Sequence, residues 1–233
     1  MALMESAALR GHLPATKSWS KEKLFQMLDQ YGSVMVKPSY GWGGQGVMKI
    51  ARSTGGKFNI HYNNRVKTGK SRGEVYKYVN KKRGGSSAII QQYIPLARMA
   101  GRPFDLRVMV QRRSTKSSKW EVTGKLAKVA GKGYIITNVR RSNGKVVSAS
   151  KAIRSSDITG ASTSRILEEV DRISRISAKR LGKYYTTIHT VGMDIGLDKN
   201  GKVWIIEGNF TPNLFLFKKL DKDVFRKIVN YRK

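Results

Sequence analysis

The residues best placed to do chemistry lie near the C-terminal end of the chain. Segments 191–197 and 202–207 read as strands on either side of Asn200-Gly201, a preferred pair for a two-residue type I′ hairpin turn. With that turn Lys199 faces Lys202, and counting back sets Asp194 directly opposite Glu207. Asn209 lies two residues beyond Glu207, hence on the same face. Directly opposed side chains have Cβ atoms roughly 4.5–5.5 Å apart. Two carboxylates at that distance repel unless one is protonated or a cation sits between them. Two carboxylates and an amide oxygen form a hard, all-oxygen donor set suited to Mg²⁺ shared with phosphate oxygens. On the residues alone two alternatives stay open. The acids could simply meet nearby lysines at a solvated edge, or a four-residue loop 198–201 could pair Asp194 with Ile205 instead.

A second chemical feature is the run Gly41-Trp42-Gly43-Gly44-Gln45-Gly46. It fits G-x-G-x-x-G, but Val47-Met48-Lys49-Ile50 follows as a strand, not the helix of a dinucleotide fold. No Gly-Lys-Ser/Thr follows either, so the Walker A pattern fails. Strand, glycine loop, strand is the geometry of a flap whose backbone N–H groups cover phosphates. Lys37 ends the preceding strand, where an ammonium could reach a phosphate. Trp42 at the tip could stack on a base or pack the closed flap. An ordinary flexible hairpin is the competing reading. A protein kinase is disfavoured, because neither His-Arg-Asp nor Asp-Phe-Gly occurs.

The elements that must position these residues follow from pattern. Segment 21–31 is helical, with Leu24, Met27 and Leu28 at helix spacing, Ser20 as N-cap and Gly32 as stop. Strands are expected at 34–37, 47–51, 58–62, 88–94, 104–112, 120–130 and 134–139. A weak helix is expected at 72–82, and a strong one at 164–181 with Ile166, Val170, Ile173 and Ile176 on one face. A last helix spans 221–231. Antiparallel-looking strand groups with few helices indicate an α+β fold.

Composition bounds the rest. The 233 residues can bury a real core. Zero cysteine excludes a disulfide scaffold, a thiolate metal site and a cysteine nucleophile. No apolar run approaches the roughly 18 residues of a membrane span, so no membrane insertion is expected. Glu5 and Arg10 argue against a secretory signal peptide. With 46 Lys and Arg against 15 Asp and Glu, the net charge is +31, which points to acidic partners, nucleic acid among them. The basic residues are spread along the chain, and no zinc-finger, RRM, KH or leucine-zipper pattern accompanies them.

Taken together, these stretches resemble an ATP-grasp enzyme. Val36-Lys37-Pro38 and the glycine loop resemble the family's phosphate-binding strand and loop. Gln91-Gln92-Tyr93-Ile94-Pro95 sits where the family has its adenine hinge, with Gln91 where an acid is common. Phe104-Asp105-Leu106-Arg107-Val108 resembles the phosphate-contacting D-x-R strand. Gly192-Met193-Asp194 with Ile206-Glu207-Gly208-Asn209 resembles the Mg²⁺ site. Within ATP-grasp proteins the likeness is to the YheC/YheD family, associated with the endospore coat, through Leu13-Pro14-Ala15-Thr16, Trp120-Glu121-Val122-Thr123-Gly124-Lys125 and Ile136-Thr137-Asn138.

The resemblance implies an ATP-grasp fold, two α/β subdomains clasping ATP, without the N-terminal domain that usually precedes them. Its expected layout is a lead-in at 1–19, a lid subdomain at 20–95 and a C-terminal subdomain with the Mg²⁺ site at 96–233. It implies ATP and Mg²⁺ as cofactors, and carboxylate–amine ligation through an acyl-phosphate. Lys37, Gly43, Gly44, Gly46, Gln91, Gln92 and Ile94 would bind nucleotide, and Asp194, Glu207 and Asn209 the metal. Arg107, Lys125 and Lys128 would act on the transferred phosphoryl group. The expected substrate is an acidic small molecule or an acidic polymer or peptide, in the cytoplasm, mother cell or spore coat of a spore-forming bacterium. The alternative is a basic protein that binds nucleic acid or an acidic polymer without catalysis.

Overall fold

The computed structural model describes residues 2–40 and 43–231. In chain order its elements begin with helix α1 (Ala7–Arg10), strand β1 (Thr16–Ser18), α2 (Lys21–Tyr31), β2 (Ser33–Pro38), β3 (Met48–Arg52), β4 (Phe58–Tyr62), β5 (Arg65–Gly69), α3 (Arg72–Arg83) and β6 (Ala88–Gln92). There follow β7 (Arg98–Met99), β8 (Arg102–Gln111), β9 (Glu121–Val129), α4 (Val139–Ser142), β10 (Lys145–Val147), α5 (Ala149–Arg154) and α6 (Thr163–Tyr184). The chain ends with β11 (Thr190–Leu197), β12 (Val203–Asn209), α7 (Phe215–Leu220) and α8 (Lys222–Asn230). Two compact units form. One takes Pro14–Ile94 and Ala130–Gly144, and the other takes Met1–Leu13, Pro95–Val129 and Lys145–Lys233.

The first, the glycine-loop unit, is built on an antiparallel sheet in the order β1-β6-β2-β3-β4-β5. Helix α2 starts where Ser20 Oγ accepts the Lys23 N–H at 3.1 Å, and it ends at Gly32, whose φ of +69° only glycine adopts freely. Ser71 caps α3 in the same way, and Glu74 accepts the Lys70 N–H at 2.7 Å. The two helices cover one sheet face, where Val34, Val36, Met48, Ile50, Phe58, Ile60 and Ile90 are buried at alternate positions. The same alternation puts Met35, Lys37, Lys49 and Gln91 on the opposite face. Strand β5 escapes sequence reading because Arg65, Val66, Lys67 and Thr68 are all exposed, leaving no alternation to detect.

Only three of the 15 acids, Glu22, Asp29 and Glu74, fall in this unit, and none lies in its strands. The positive charge is therefore least compensated here.

The second, the carboxylate unit, has the strand order β10-β9-β8-β11-β12, with β7 paired to β8. Helix α6 lays Ile166, Val170, Ile173, Ala178 and Leu181 against one face. That face is made by Phe104, Leu106 and Val108 of β8, Ala127 and Val129 of β9, Val191, Met193 and Ile195 of β11, and Val203 and Ile205 of β12. Period-two alternation then sends Asp105, Arg107, Lys128 and Asp194 to the other face. Helices α7 and α8 cover part of that face, where Phe217 and Ile228 pack on Met109 and Leu126.

One expected strand is absent. Residues 134–138 are irregular, and Val139–Ser142 is a helical turn. The apolar run Tyr134-Ile135-Ile136 has the pattern of a strand, but Asn138 Oδ1 accepts the Arg141 N–H at 2.9 Å and starts a helix instead.

Candidate functional site

The hairpin β11–β12 sets Asp194 opposite Glu207, by a route that differs from the expected one. The turn is not a two-residue turn. Leu197 pairs with Val203, the Asp198 N–H bonds to Lys202 O at 3.2 Å, and the Gly201 N–H bonds to Asp198 O at 2.9 Å. Asp198 Oδ1 accepts the N–H groups of Asn200 and Lys202 at 2.9 and 3.1 Å, which satisfies the turn's donors and fixes a three-residue loop. That loop slips the register by one residue. A bulge between the Asp194–Glu207 and Ile195–Ile205 pairs slips it back.

A row of charged side chains crosses four strands from this pair. Lys128 of β9 faces Asp105 of β8, Arg107 of β8 faces Asp194 of β11, and Asp194 faces Glu207 of β12. Arg107 Nε and Nη2 donate to Asp194 Oδ1 and Oδ2 at 2.6 and 3.1 Å. Lys128 Nζ lies 3.1 Å from Asp194 Oδ2 and 3.3 Å from Asp105 Oδ1. Asp105, Lys128 and Asp194 are only 3%, 7% and 7% exposed, so two cations and two carboxylates balance each other out of water. Burial alone would push the Asp194 carboxyl up, but Lys128 and Arg107 beside it hold it below the ordinary carboxylate value. Burial would likewise push Lys128 down, and Asp105 and Asp194 carry it above the ordinary lysine value instead. Burial works against the Arg107 guanidinium too, and Asp194, Asp105 and Glu207 together raise it.

The pH dependence follows from these signs. A depressed carboxylate contributes stability that is complete above its unfolded value, about pH 4, and lost as pH falls through the folded value. A raised lysine contributes below its unfolded value, about pH 10.4, and that contribution is lost as pH rises through the folded value. Asp194, Lys128 and Arg107 therefore stay ionised across the neutral range. Denaturant titrations at stepped pH should show stability falling below about pH 4, with a shallower fall in Asp194→Asn. Equal slopes in both proteins would remove Asp194 from the acid response.

Glu207 is exposed, and its carboxylate bonds to nothing among the described residues. Asn209 Nδ2 donates to Gly192 O at 3.4 Å, which leaves Oδ1 open. No group of three or more His, Cys, Asp and Glu able to hold a metal occurs among the described residues. The donor set is therefore two carboxylates and an amide oxygen, with Asp194 already held by cations. Such a set fits an Mg²⁺ that takes its remaining ligands from phosphate oxygens and water, and not an all-protein cage.

Arg107 and Lys128 thus meet Asp194 and Glu207 on one face, and Lys125 does not join them. It opposes Val108 on the α6 side of the sheet, where its Nζ bonds both Asp171 oxygens at 2.7 Å. The alternation along β9 separates Lys125 from Lys128. Asp105 belongs to the cluster; the sequence places it in the D-x-R strand but assigns it no role. Its spacing of two from Arg107, which puts both on one face, is the signal that marks it.

In the glycine-loop unit, Lys37 Nζ donates to Gln91 Oε1 at 2.5 Å, and Gln91 Nε2 donates to Thr16 Oγ1 at 3.0 Å. Gln92 and Tyr93 spend their N–H groups on Ala15 O and Ser33 O, at 2.8 and 3.2 Å. The N–H of Ile94 donates to no acceptor among the described residues. Gly43, Gly44 and Gly46 have φ of +65°, +75° and +75°, and a Cβ on Gly46 would sit 2.8 Å from Pro38 Cγ. Gly41 and Trp42, including the reading of Trp42 as a stacking residue, lie outside the described residues. No helix among the described residues is long and apolar enough to cross a membrane.

Endospore coat-associated protein YheD of Bacillus subtilis (strain 168) is 29% identical over 210 residues, which cover 85% of this chain and 43% of YheD. The chain thus spans less than half of that relative's length. Among solved structures, ATP-grasp ligase PsnB, complexed with a phosphomimetic variant of its minimal precursor, Mg and ADP, superposes with a TM-score of 0.54 at 14% identity. The match covers 97% of this chain and 57% of PsnB. D-cycloserine synthetase DcsG gives 0.57 at 13% identity, covering 99% of this chain and 67% of its own. These likenesses establish the ATP-grasp fold. The family model described as YheC/D like ATP-grasp matches residues 1–232, and the chain belongs to that family.

Proposed function

We propose that this protein binds ATP with Mg²⁺ and joins a carboxylate to an amine through an acyl-phosphate. The observation that carries the reading is the placement of Asp194 opposite Glu207, with Asn209 two residues on and Arg107 and Lys128 on the same sheet face. In the glycine-loop unit, Lys37 and the N–H groups of Gly43, Gly44 and Gly46 would hold phosphates. The hinge Gln91, Gln92 and Ile94 would hold the base, the Ile94 N–H being an open donor for a ring nitrogen. In the carboxylate unit, Glu207 and Asn209, with Asp194, would hold Mg²⁺.

The metal supplies charge neutralisation at the transferred phosphoryl group. The substrate carboxylate oxygen attacks the γ-phosphorus and ADP leaves with the electron pair. The amine then attacks the acyl carbon, phosphate leaves, and the amine gives up a proton. Arg107 would meet the charge that develops on the phosphoryl oxygens, and Lys128 would keep Asp194 and Arg107 in place.

An acidic substrate is supported by the uncompensated positive charge of the glycine-loop unit. The link of the relative YheD to the endospore coat makes that setting the proposed one for this chain. A screen of ADP release from ATP, with paired amino acids and acidic peptides as acceptors, tests the ligase. Release that needs both a carboxylate and an amine is the expected result. Release indifferent to every acceptor would leave only an ATPase.

A further inference from the structure

We propose that Arg141 sets the orientation of the Gly43–Gly44 peptide, so that the Gly44 N–H faces out of the loop as a phosphate donor. This rests on the nucleotide reading above, and it adds a positioning residue from a segment about 100 residues away in sequence.

The need for such a residue comes from the loop itself. Gly43 and Gly44 both have positive φ, and a peptide between two glycines rotates between turn types with little steric cost. Left alone, it would present its carbonyl as readily as its N–H, and a carbonyl repels phosphate. Arg141 Nε donates to Gly43 O at 3.2 Å. In a planar trans peptide the C=O and the following N–H point in opposite directions. Fixing the Gly43 carbonyl toward Arg141 therefore aims the Gly44 N–H away from it. That N–H donates to no acceptor among the described residues.

The backbone that carries Arg141 is tied down. The Arg141 N–H caps onto Asn138 Oδ1, Ser142 Oγ donates to Asn138 O at 2.8 Å, and the Gly131 N–H donates to Ser142 Oγ at 3.1 Å. A Cβ on Gly131 would fall 1.6 Å from Ser142 O, so the segment closes only around glycine there. The His61 ring Nε2 lies 3.0 Å from Gly133 O and ties the segment to β4. The loop is seated against it as well: positions for a Cβ on Gly43 and Gly44 are 3.2 Å from Asn138 Nδ2 and 3.1 Å from Ile136 Cδ1. The helical turn α4 and its cap thus form a rigid mount for one guanidinium.

The test compares ATP and AMP affinities by calorimetry in four versions of this 233-residue chain: wild type, Arg141→Gln, Arg141→Lys and Arg140→Gln. Arg140 is exposed and makes no bond among the described residues, so its variant removes the same charge without touching the loop. Arg141→Gln is expected to weaken ATP about tenfold and leave AMP unchanged, because AMP lacks the outer phosphates. Arg141→Lys should recover part of the loss, since its ammonium can still donate to the Gly43 carbonyl, and Arg140→Gln should match wild type. An equal loss for ATP and AMP in Arg141→Gln, the same loss in Arg140→Gln, or no loss at all would overturn the proposal while leaving nucleotide binding in place. Absence of any ATP binding by wild type would remove the nucleotide reading and this proposal together.

Discussion

Lys128→Met is expected to lower the free energy of unfolding by about 3–5 kcal/mol. The lysine is 7% exposed, and its ammonium sits within 3.3 Å of both Asp105 and Asp194. Methionine fills similar space but carries no charge, so the two buried carboxylates lose the cation they share. Removing one partner of a buried ionic cluster costs far more than the pair contributes net, because the charge left behind is out of water and under-compensated. A signature distinguishes this from simple loss of packing. In the variant one carboxylate should take up a proton on folding, so its folded value is raised. Such a group stabilises at pH below that value, and the deficit should shrink as pH is lowered from 8 towards 5. Urea unfolding at both pH values measures it. A loss below about 1 kcal/mol, or one that does not change with pH, would mean that the cluster is not balanced as described.

Glu207→Gln should behave in the opposite way. Glu207 is exposed and bonds no described residue, so its removal should shift stability by no more than about 0.5 kcal/mol. Its proposed work is to supply an anionic oxygen to Mg²⁺. Losing that ligand should lower Mg²⁺-dependent ADP formation by about 100-fold, the equivalent of nearly 3 kcal/mol in the barrier. The two substitutions separate the two jobs proposed for this sheet face: Lys128 would hold the site in shape, and Glu207 would hold what the site binds. A Glu207→Gln protein that turns over ATP at the wild-type rate would place the metal elsewhere.

Features set by neighbours in the chain were legible. Ser20 and Gly32 bound α2 because a cap is a bond to the nearest N–H groups and a left-handed stop is a property of one residue. The alternation of apolar residues along β8 and β11 is enough by itself to put Arg107 and Asp194 on the polar face. Features set at a distance were not legible. The Asp194–Glu207 pairing follows from the type I′ count only because two departures cancel, the loop held by Asp198 and the bulge beside Ile206. Lys125 and Lys128 look alike in sequence, and only the strand pairing sends one to Asp171 and the other to Asp194. Residues 130–144 follow β9, yet they fold with the glycine-loop unit through His61 and Gly43, contacts that no local pattern announces.

The most direct test is calorimetric titration of wild type and Glu207→Gln with ATP, with and without Mg²⁺. Saturable one-site binding is expected for wild type, strengthened by Mg²⁺, with the Mg²⁺-dependent gain lost in Glu207→Gln and the Mg²⁺-free affinity retained. No saturable heat with wild type, or the same gain from Mg²⁺ in both proteins, would contradict a nucleotide site built on the Asp194–Glu207 pair.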